Sequence, residues 1–402
     1  MATTTPAIVV SGWTHALGVV RGLGREGVPV DVVSYEPRDF ATRSRYVRDV
    51  IPAPHPREAE GPFVATLLDV ARRTPGALLV PASDAAVGPV ARNKAVLEDA
   101  GLVVASDEPE IVETLLNKAS TLALARSAGV PAPITFTPAD EDDVRLFCAT
   151  ATFPAVLKPE LSHLYLQQVG EKWTRLEDEE DAVRAYRVAR SLGLEVVLQE
   201  LVPGDDRCGS VYNSYFVDGE PVVEFTSRKI RNSPPQTGSP CAVVSEWMPE
   251  VAEQGRSLLA AAKFSGYSCT EFKQDPRDGA HKVMEVNARH NLSSLLATRC
   301  GLNFAWMQYR HLVDGVEPRG IAPGEYPQGV HWVDITRDVR TAPHYLRQPG
   351  YSLRAFVEPY RRPGVFAVLD RHDPGPAAAR AVDTARLAAE RIRERVARRR
   401  SS

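Results

Sequence analysis

Short apolar runs alternate with helical patterns through the first quarter of the chain, and this alternation restricts the fold more than any other feature. "AIVVSGW" (Ala7 to Trp13) is an apolar run closed by glycine and tryptophan, "THALGVVRGLGREG" has helical periodicity, and "VPVDVVSYE" is strand-like again. Further on, "GALLVPASD", "AAVGPVARNKAVLEDAG" and "LVVAS" repeat the order strand, helix, strand. Strands interleaved with helices predict an open parallel α/β sheet over residues 6–108. The loop after the first run holds Gly12 and Gly18 but no G-x-G-x-x-G, so no dinucleotide site is expected there.

Downstream the pattern changes. "EPEIVETLLNKASTLALARSAGVPAP" is helical and closed by Gly129 and prolines. "FPAVLKP" and "EVVLQE" are strand-like, with the solvated helix "EDEEDAVRAYRVARSLG" between them. "SVYNSYFVDGEPVVEFTSRKIR" predicts two strands joined by an Asp-Gly turn. After the helix "MPEVAEQGRSLLAAAKFSG" comes a second hairpin, "YSCTEFKQDPRDGAHKVMEVNAR", turning near Pro276 to Gly279. This middle region is therefore expected to be α+β with antiparallel sheet. The C-terminus adds strand-like "VFAVLD" and an Ala/Arg-rich helix from Ala377 to Arg400.

A chain of 402 residues has room for two to four such units. Its 44% hydrophobic and 25% charged residues are the balance of a soluble globular protein. A net charge of −3 creates no global field for nucleic acid or a membrane. The five cysteines are scattered without a C-x-x-C, which predicts reduced thiols and a cytoplasmic location. "MATTTPAIVVSGW" lacks the basic start and long apolar run of a signal peptide, and no stretch is apolar for the length of a membrane span. Only eight of the 48 basic residues are lysines, so a compact ammonium matters where one is kept.

Four stretches carry chemistry. In "KVMEVNARHN", strand alternation puts Glu285, Asn287 and Arg289 on one face, with Met284, Val286 and Ala288 behind. A turn centred near Asp278 sets Glu271 opposite Glu285 and Lys273 opposite Val283. Like charges directly opposed are destabilising, so a proton, an arginine or a metal must neutralise the pair. Mg²⁺ takes one or two carboxylates plus substrate phosphates. A plain ion-pair network with Arg289 and Lys273 meets the same need, and spacing alone leaves both readings open. Lys158 ends the apolar strand "FPAVLKP", where an ammonium suits a phosphate oxygen or simply a surface. "VLQELVPGDD" leaves a buried strand through Pro-Gly into two acids, exposing backbone groups for a base edge and an Asp for ribose hydroxyls. "SRKIRNSPPQTGSP" gathers Arg228, Lys229 and Arg231 ahead of a Pro/Gly/Ser loop, either an anion-binding loop or a solvated one.

Taken in order, Lys118, Lys158, "QELVPGDD", the basic loop, Glu271 and "EVN-x-R" resemble the ATP-grasp superfamily of carboxylate–amine ligases, near D-aspartate ligase-like proteins. The resemblance covers nearly the whole chain. It implies a Rossmann-like pre-ATP-grasp domain (1–110), a first ATP-grasp lobe (111–195), a second lobe with the metal site (196–320) and a C-terminal extension with a basic helix (321–402). By matching position, it places Lys118 and Lys158 on the ATP phosphates. Gln199 and the backbone of Glu200, Leu201 and Val202 would face adenine, and Asp206 the ribose. Glu271, Glu285 and Asn287 would hold two Mg²⁺, with Mn²⁺ as an alternative. Arg289, with Lys229 and Arg231, would meet the transferred phosphoryl group or the substrate carboxylate, and His290 and Asn291 the substrate. The Gly-rich phosphate loop common in the superfamily is absent after Lys158, so Ser162, His163 or Lys172 would stand in for its amides.

The implied activity joins a small acid to an amine, with amino acids or a peptide as substrates, through an acyl phosphate, in a monomer or homodimer. Two other readings keep the same residues: a carboxylase acting on bicarbonate through carboxyphosphate, and a non-catalytic nucleotide-binding module.

Overall fold

A computed structural model of the protein describes residues 5–159, 165, 169–170, 173–348, 351–361 and 364–400. Ser162, His163 and Lys172 lie outside the described residues. The N-terminal unit is the expected parallel sheet. Its strands are Ala7–Val10, Val30–Ser34, Val47–Pro52, Leu78–Pro81 and Val103–Val104. Spatially the third strand is at one edge, followed by the second, first, fourth and fifth. The order reverses between the Ala7–Val10 and Leu78–Pro81 strands, which makes their carboxyl ends a topological switch point. The two long helical patterns are each broken. Asn93 separates Val87–Arg92 from Lys94–Asp99, and Asn117 separates Pro109–Leu116 from Lys118–Ser127. Asn117 is extended, and its side chain accepts from the Ser120 amide at 3.0 Å, so it caps the helix that begins with Lys118.

The first lobe is a four-stranded antiparallel sheet, in the order Thr135–Phe136, Val196–Glu200, Ala155–Pro159, Thr174–Leu176. Helices Glu141–Thr150 and Glu179–Ser191, capped by Asp140 and Asp178, cover it and bury Val144, Phe147, Leu157, Tyr186 and Leu198. The acidic run is thus a capped, solvated helix start.

A seven-stranded sheet forms the rest. Its order is His281–Asn287, Gly266–Gln274, Gly209–Val217, Glu220–Ser233, Ser239–Ser245, His331–Val333, Gly364–Phe366. Asp218 and Gly219 turn the first hairpin with φ of 51° and 82°, the two left-handed positions a tight hairpin demands. Two short strands from beyond residue 321 extend this sheet, joined by helices Ile335–Tyr345 and Leu353–Arg361 that the sequence pattern had not signalled. The C-terminal segment also reaches back to the first unit. Arg21, fully buried on the Thr14–Gly24 helix, donates from Nε to Asp373 at 2.9 Å. One apolar core accordingly runs from Val9 and Leu17 through Leu296 to Phe225 and Trp332. Among the described residues no helix is long and apolar enough to cross a membrane.

Candidate active site

The three units meet around a cavity of about 980 Å³. The first lobe lines it with Lys158 and Gln199, and the helix start with Lys118. The large sheet supplies Lys229, Glu271, Glu285, Asn287 and Arg289, and the parallel unit His15, Arg57 and Asp84.

The second hairpin forms the floor. Glu271 does stand opposite Glu285. Beyond that pair the register slips by one residue, so that Phe272 faces Val283 and Lys273 faces Lys282, not Val283. The slip is a β-bulge with Met284 as the extra residue. It puts Val283 into the apolar core with Phe272 and Val286, while Met284 is half-buried and lines the cavity. Met284 therefore does not back the strand as simple alternation predicted.

The opposed carboxylates are neutralised from the Glu220–Ser233 strand, two places along the sheet, whose Lys229 reaches over Gly209 of the strand between. Lys229, almost fully buried, donates from Nζ to Glu271. Burial works against the Lys229 charge, but Glu271 outweighs it and the ammonium is held above its usual range. The charge on Glu271, and then burial, raise the Glu285 carboxyl. Asn287 donates to Glu285 at 3.3 Å, and Arg289 donates to Asn287 Oδ1 at 3.2 Å. Lys273 takes no part, since its ammonium donates to the Val202 carbonyl at 2.8 Å. Among the described residues no three His, Cys, Asp or Glu side chains converge on one metal point. Two carboxylates and an amide oxygen facing an open cavity instead fit Mg²⁺ that takes its other ligands from phosphates and water.

Lys158 faces this floor from the first lobe. It donates to Gln199 Oε1 at 2.7 Å, and Gln199 donates in turn to Thr135 Oγ1 at 3.0 Å, so the Gln199 amide orients the lysine. Burial, then the nearby Lys118 charge, push the Lys158 ammonium down to about 7.

Residues 200–206, the hinge segment that links the first lobe to the large sheet, are tied to the floor. The Glu200 carboxylate accepts from Arg277 at 2.7 Å and lies 3.6 Å from the Lys282 ammonium. The Glu200 and Leu201 amides are bonded to the Ile134 and Pro154 carbonyls. Two expected roles change here. Asp206 is buried and accepts from Tyr345, from Asn232 Nδ2 at 2.9 Å and from the Gln236 amide at 2.9 Å. With its acceptors so engaged, it binds protein rather than a ribose. Arg231 is wholly buried away from the cavity, paired with Asp338 at 2.6 Å and lying over Phe356. It cannot meet a transferred phosphoryl group. Nor does His290 reach substrate, because it is buried, stacks on Tyr267 and contacts Gln308 at 3.2 Å; Asn291 does line the cavity.

The far end belongs to the parallel unit. Arg289 donates from Nε to Asp84 at 2.5 Å, and Arg57 donates to the Asp84 carbonyl at 3.1 Å. Burial, then the Arg289 charge, hold His15 down to about 3, so the imidazole is neutral. His15 and Asp84 were missed in the sequence, yet they follow the two strands that flank the switch point, where α/β sheets bind ligands. Strand order, which the sequence does not display, was the missing signal.

The fold is the ATP-grasp fold, shared with solved structures of an L-amino acid ligase and a biotin carboxylase domain. No known family profile matches the chain. A D-aspartate ligase from Enterococcus faecium (strain Aus0004) is 26% identical over 212 residues, covering 48% of this chain and 49% of the relative, so the chain spans about half the length of that curated relative. The L-amino acid ligase of Bacillus licheniformis superposes with a TM-score of 0.60 at 16% identity, over 79% of this chain and 76% of that one. A Hydrogenobacter thermophilus 2-oxoglutarate carboxylase biotin carboxylase domain, solved with MgADP, ADP and bicarbonate, gives 0.59 at 15% identity, over 81% and 73%.

Proposed function

We propose that the protein is an ATP-dependent ligase that joins a small carboxylic acid, an amino acid or peptide, to an amine. One observation carries the reading: a single cavity brings Lys118 and Lys158 opposite the Glu271–Glu285–Asn287 floor, with Arg289 between that floor and the parallel unit. In this reading the nucleotide lies between the lobes with its base at the hinge near Val202. Lys158 and Lys118 contact its phosphates, and Glu271, Glu285 and Asn287 hold Mg²⁺. The metal supplies charge neutralisation at the phosphates.

The acid lies beside Arg289. Two anions about 4 Å apart repel by roughly 4 kcal/mol at an effective dielectric near 20, so the guanidinium and the lysines do the essential work of bringing them together. A carboxylate oxygen bonds to the γ-phosphorus as the bond to ADP breaks. The amine nitrogen then bonds to the acyl carbon, phosphate leaves, and the amine gives up a proton. Neutral His15 and the Asp84 carboxylate offer polar contacts to the substrate end without adding positive charge there. Lobe closure keeps water from the acyl phosphate.

The test is phosphate release from Mg-ATP across pools of acids and amines, with product mass. Release that requires both an acid and an amine supports the ligase. Release with bicarbonate alone would replace it by a carboxylase, and nucleotide binding without release by a binding module. Proton linkage gives a second prediction. Near pH 8 the free Lys158 is mostly neutral, and a bound phosphate restores its charge, so ADP binding should take up close to one proton and weaken as pH rises above about 7. Calorimetry in buffers of different ionisation enthalpy reads the uptake. Its persistence in Lys158→Met would remove the lysine from the phosphate site.

A further inference from the structure

The Ile335–Tyr345 helix grips one wall of the cavity. That wall is the turn between the Glu220–Ser233 and Ser239–Ser245 strands, which lines the cavity beside Val202 and Asp206. The turn is closed on itself: a Cβ on Gly238 would sit 2.1 Å from the Ser233 carbonyl carbon, so only glycine fits. Arg337 bridges both of its ends, donating from one nitrogen to the carbonyls of Ser233 at 3.0 Å and Ser239 at 3.3 Å. Arg340 donates to the Ser233 hydroxyl at 3.1 Å. Tyr345 donates to Asp206 and accepts from the Asn232 amide at 2.9 Å. Asp206, at the exit from the hinge, thus binds the turn and the helix together.

We propose that Arg337 and Tyr345 are positioning residues for the nucleotide, through which the Ile335–Tyr345 helix holds the 233–239 turn in its binding shape. The inference rests on the reading of the cavity as a nucleotide site. Neither residue touches a reacting atom. Their bonds end on the backbone and capping groups of cavity-lining residues, so they act on the shape of the wall. The helix has a separate anchor in the buried Arg231–Asp338 pair, so its attachment and its effect on the turn are separable by mutation. A turn left free would have to be ordered by the ligand, and that ordering lowers affinity.

The test is calorimetric binding of ADP with Mg²⁺ to the full chain, alongside thermal melts. Tyr345→Phe and Arg337→Ala are expected to weaken ADP about fivefold to tenfold, the scale of one or two lost hydrogen bonds, at temperatures where the chain stays folded. Arg337→Lys should recover part of the loss. Arg340 is exposed, so Arg340→Ala tests the same turn without threatening the fold, and it should weaken ADP by about twofold to threefold. Wild-type affinity in all of these variants, with or without a lowered melting temperature, would reduce the helix to a structural support and overturn the inference. Failure of the wild-type chain to bind ADP would instead overturn the nucleotide reading itself, and this inference with it.

Discussion

Glu285→Gln is expected to lower ATP-dependent turnover by on the order of a thousandfold without destabilising the chain. The two effects part because of where Glu285 sits. Its side chain faces the cavity rather than the core, and Glu271 directly opposite raises its carboxyl above the usual range. Removing its charge relieves a repulsion in the empty site. It also removes one of the two carboxylates available to Mg²⁺. Phosphate release with a working acid–amine pair, read beside a thermal melt, gives the comparison. Full turnover in the variant would mean that the metal is held elsewhere, and a markedly lower melting temperature would mean that Glu285 is structural.

Asp338→Ala is expected to cost about 3–5 kcal/mol of stability, the usual loss when one partner of a buried ion pair is removed. Asp338 is fully buried. It accepts from Arg231 Nε and Nη2 at 2.6 and 2.9 Å and from the Tyr360 hydroxyl at 2.6 Å. Its loss strands a guanidinium over the Phe356 ring, 4.4 Å from its centroid, with no carboxylate partner. A double variant in which Arg231 and Asp338 both become leucine should recover much of the loss, since it buries no unpaired charge. Chemical denaturation of the three proteins checks this, and a single variant as stable as the wild type would show the pair to be dispensable.

The sequence was informative wherever local chemistry determines structure. The Asp218–Gly219 turn, the parallel N-terminal unit and the Glu271–Glu285 pairing were all readable from alternation and turn residues. What stayed hidden was set by distant partners. Arg231 and Asp206 have the right types at the right places for a nucleotide site, but Asp338 and Tyr345, more than a hundred residues on, claim them. Lys229 rather than Arg289 or Lys273 proved to neutralise Glu271, because the sheet order sets only one strand between them, within reach across Gly209. His15 and Asp84 reach the site through strand order, which no short motif encodes.

The Met284 bulge amounts to a half-period phase shift in the hairpin. On one side of it the outward face is read by the cavity, through Glu285 and Asn287; on the other it is read by the hinge, through Lys273 to Val202 and Lys282 toward Glu200. Without the shift, an apolar Val283 would occupy the position across from Lys273 and the core would lose it. A single inserted residue thus lets one continuous strand answer to two neighbours of different character. Deleting it would rephase every side chain on one side of the break, so a change of one residue in length at this point is more consequential than most changes of residue type.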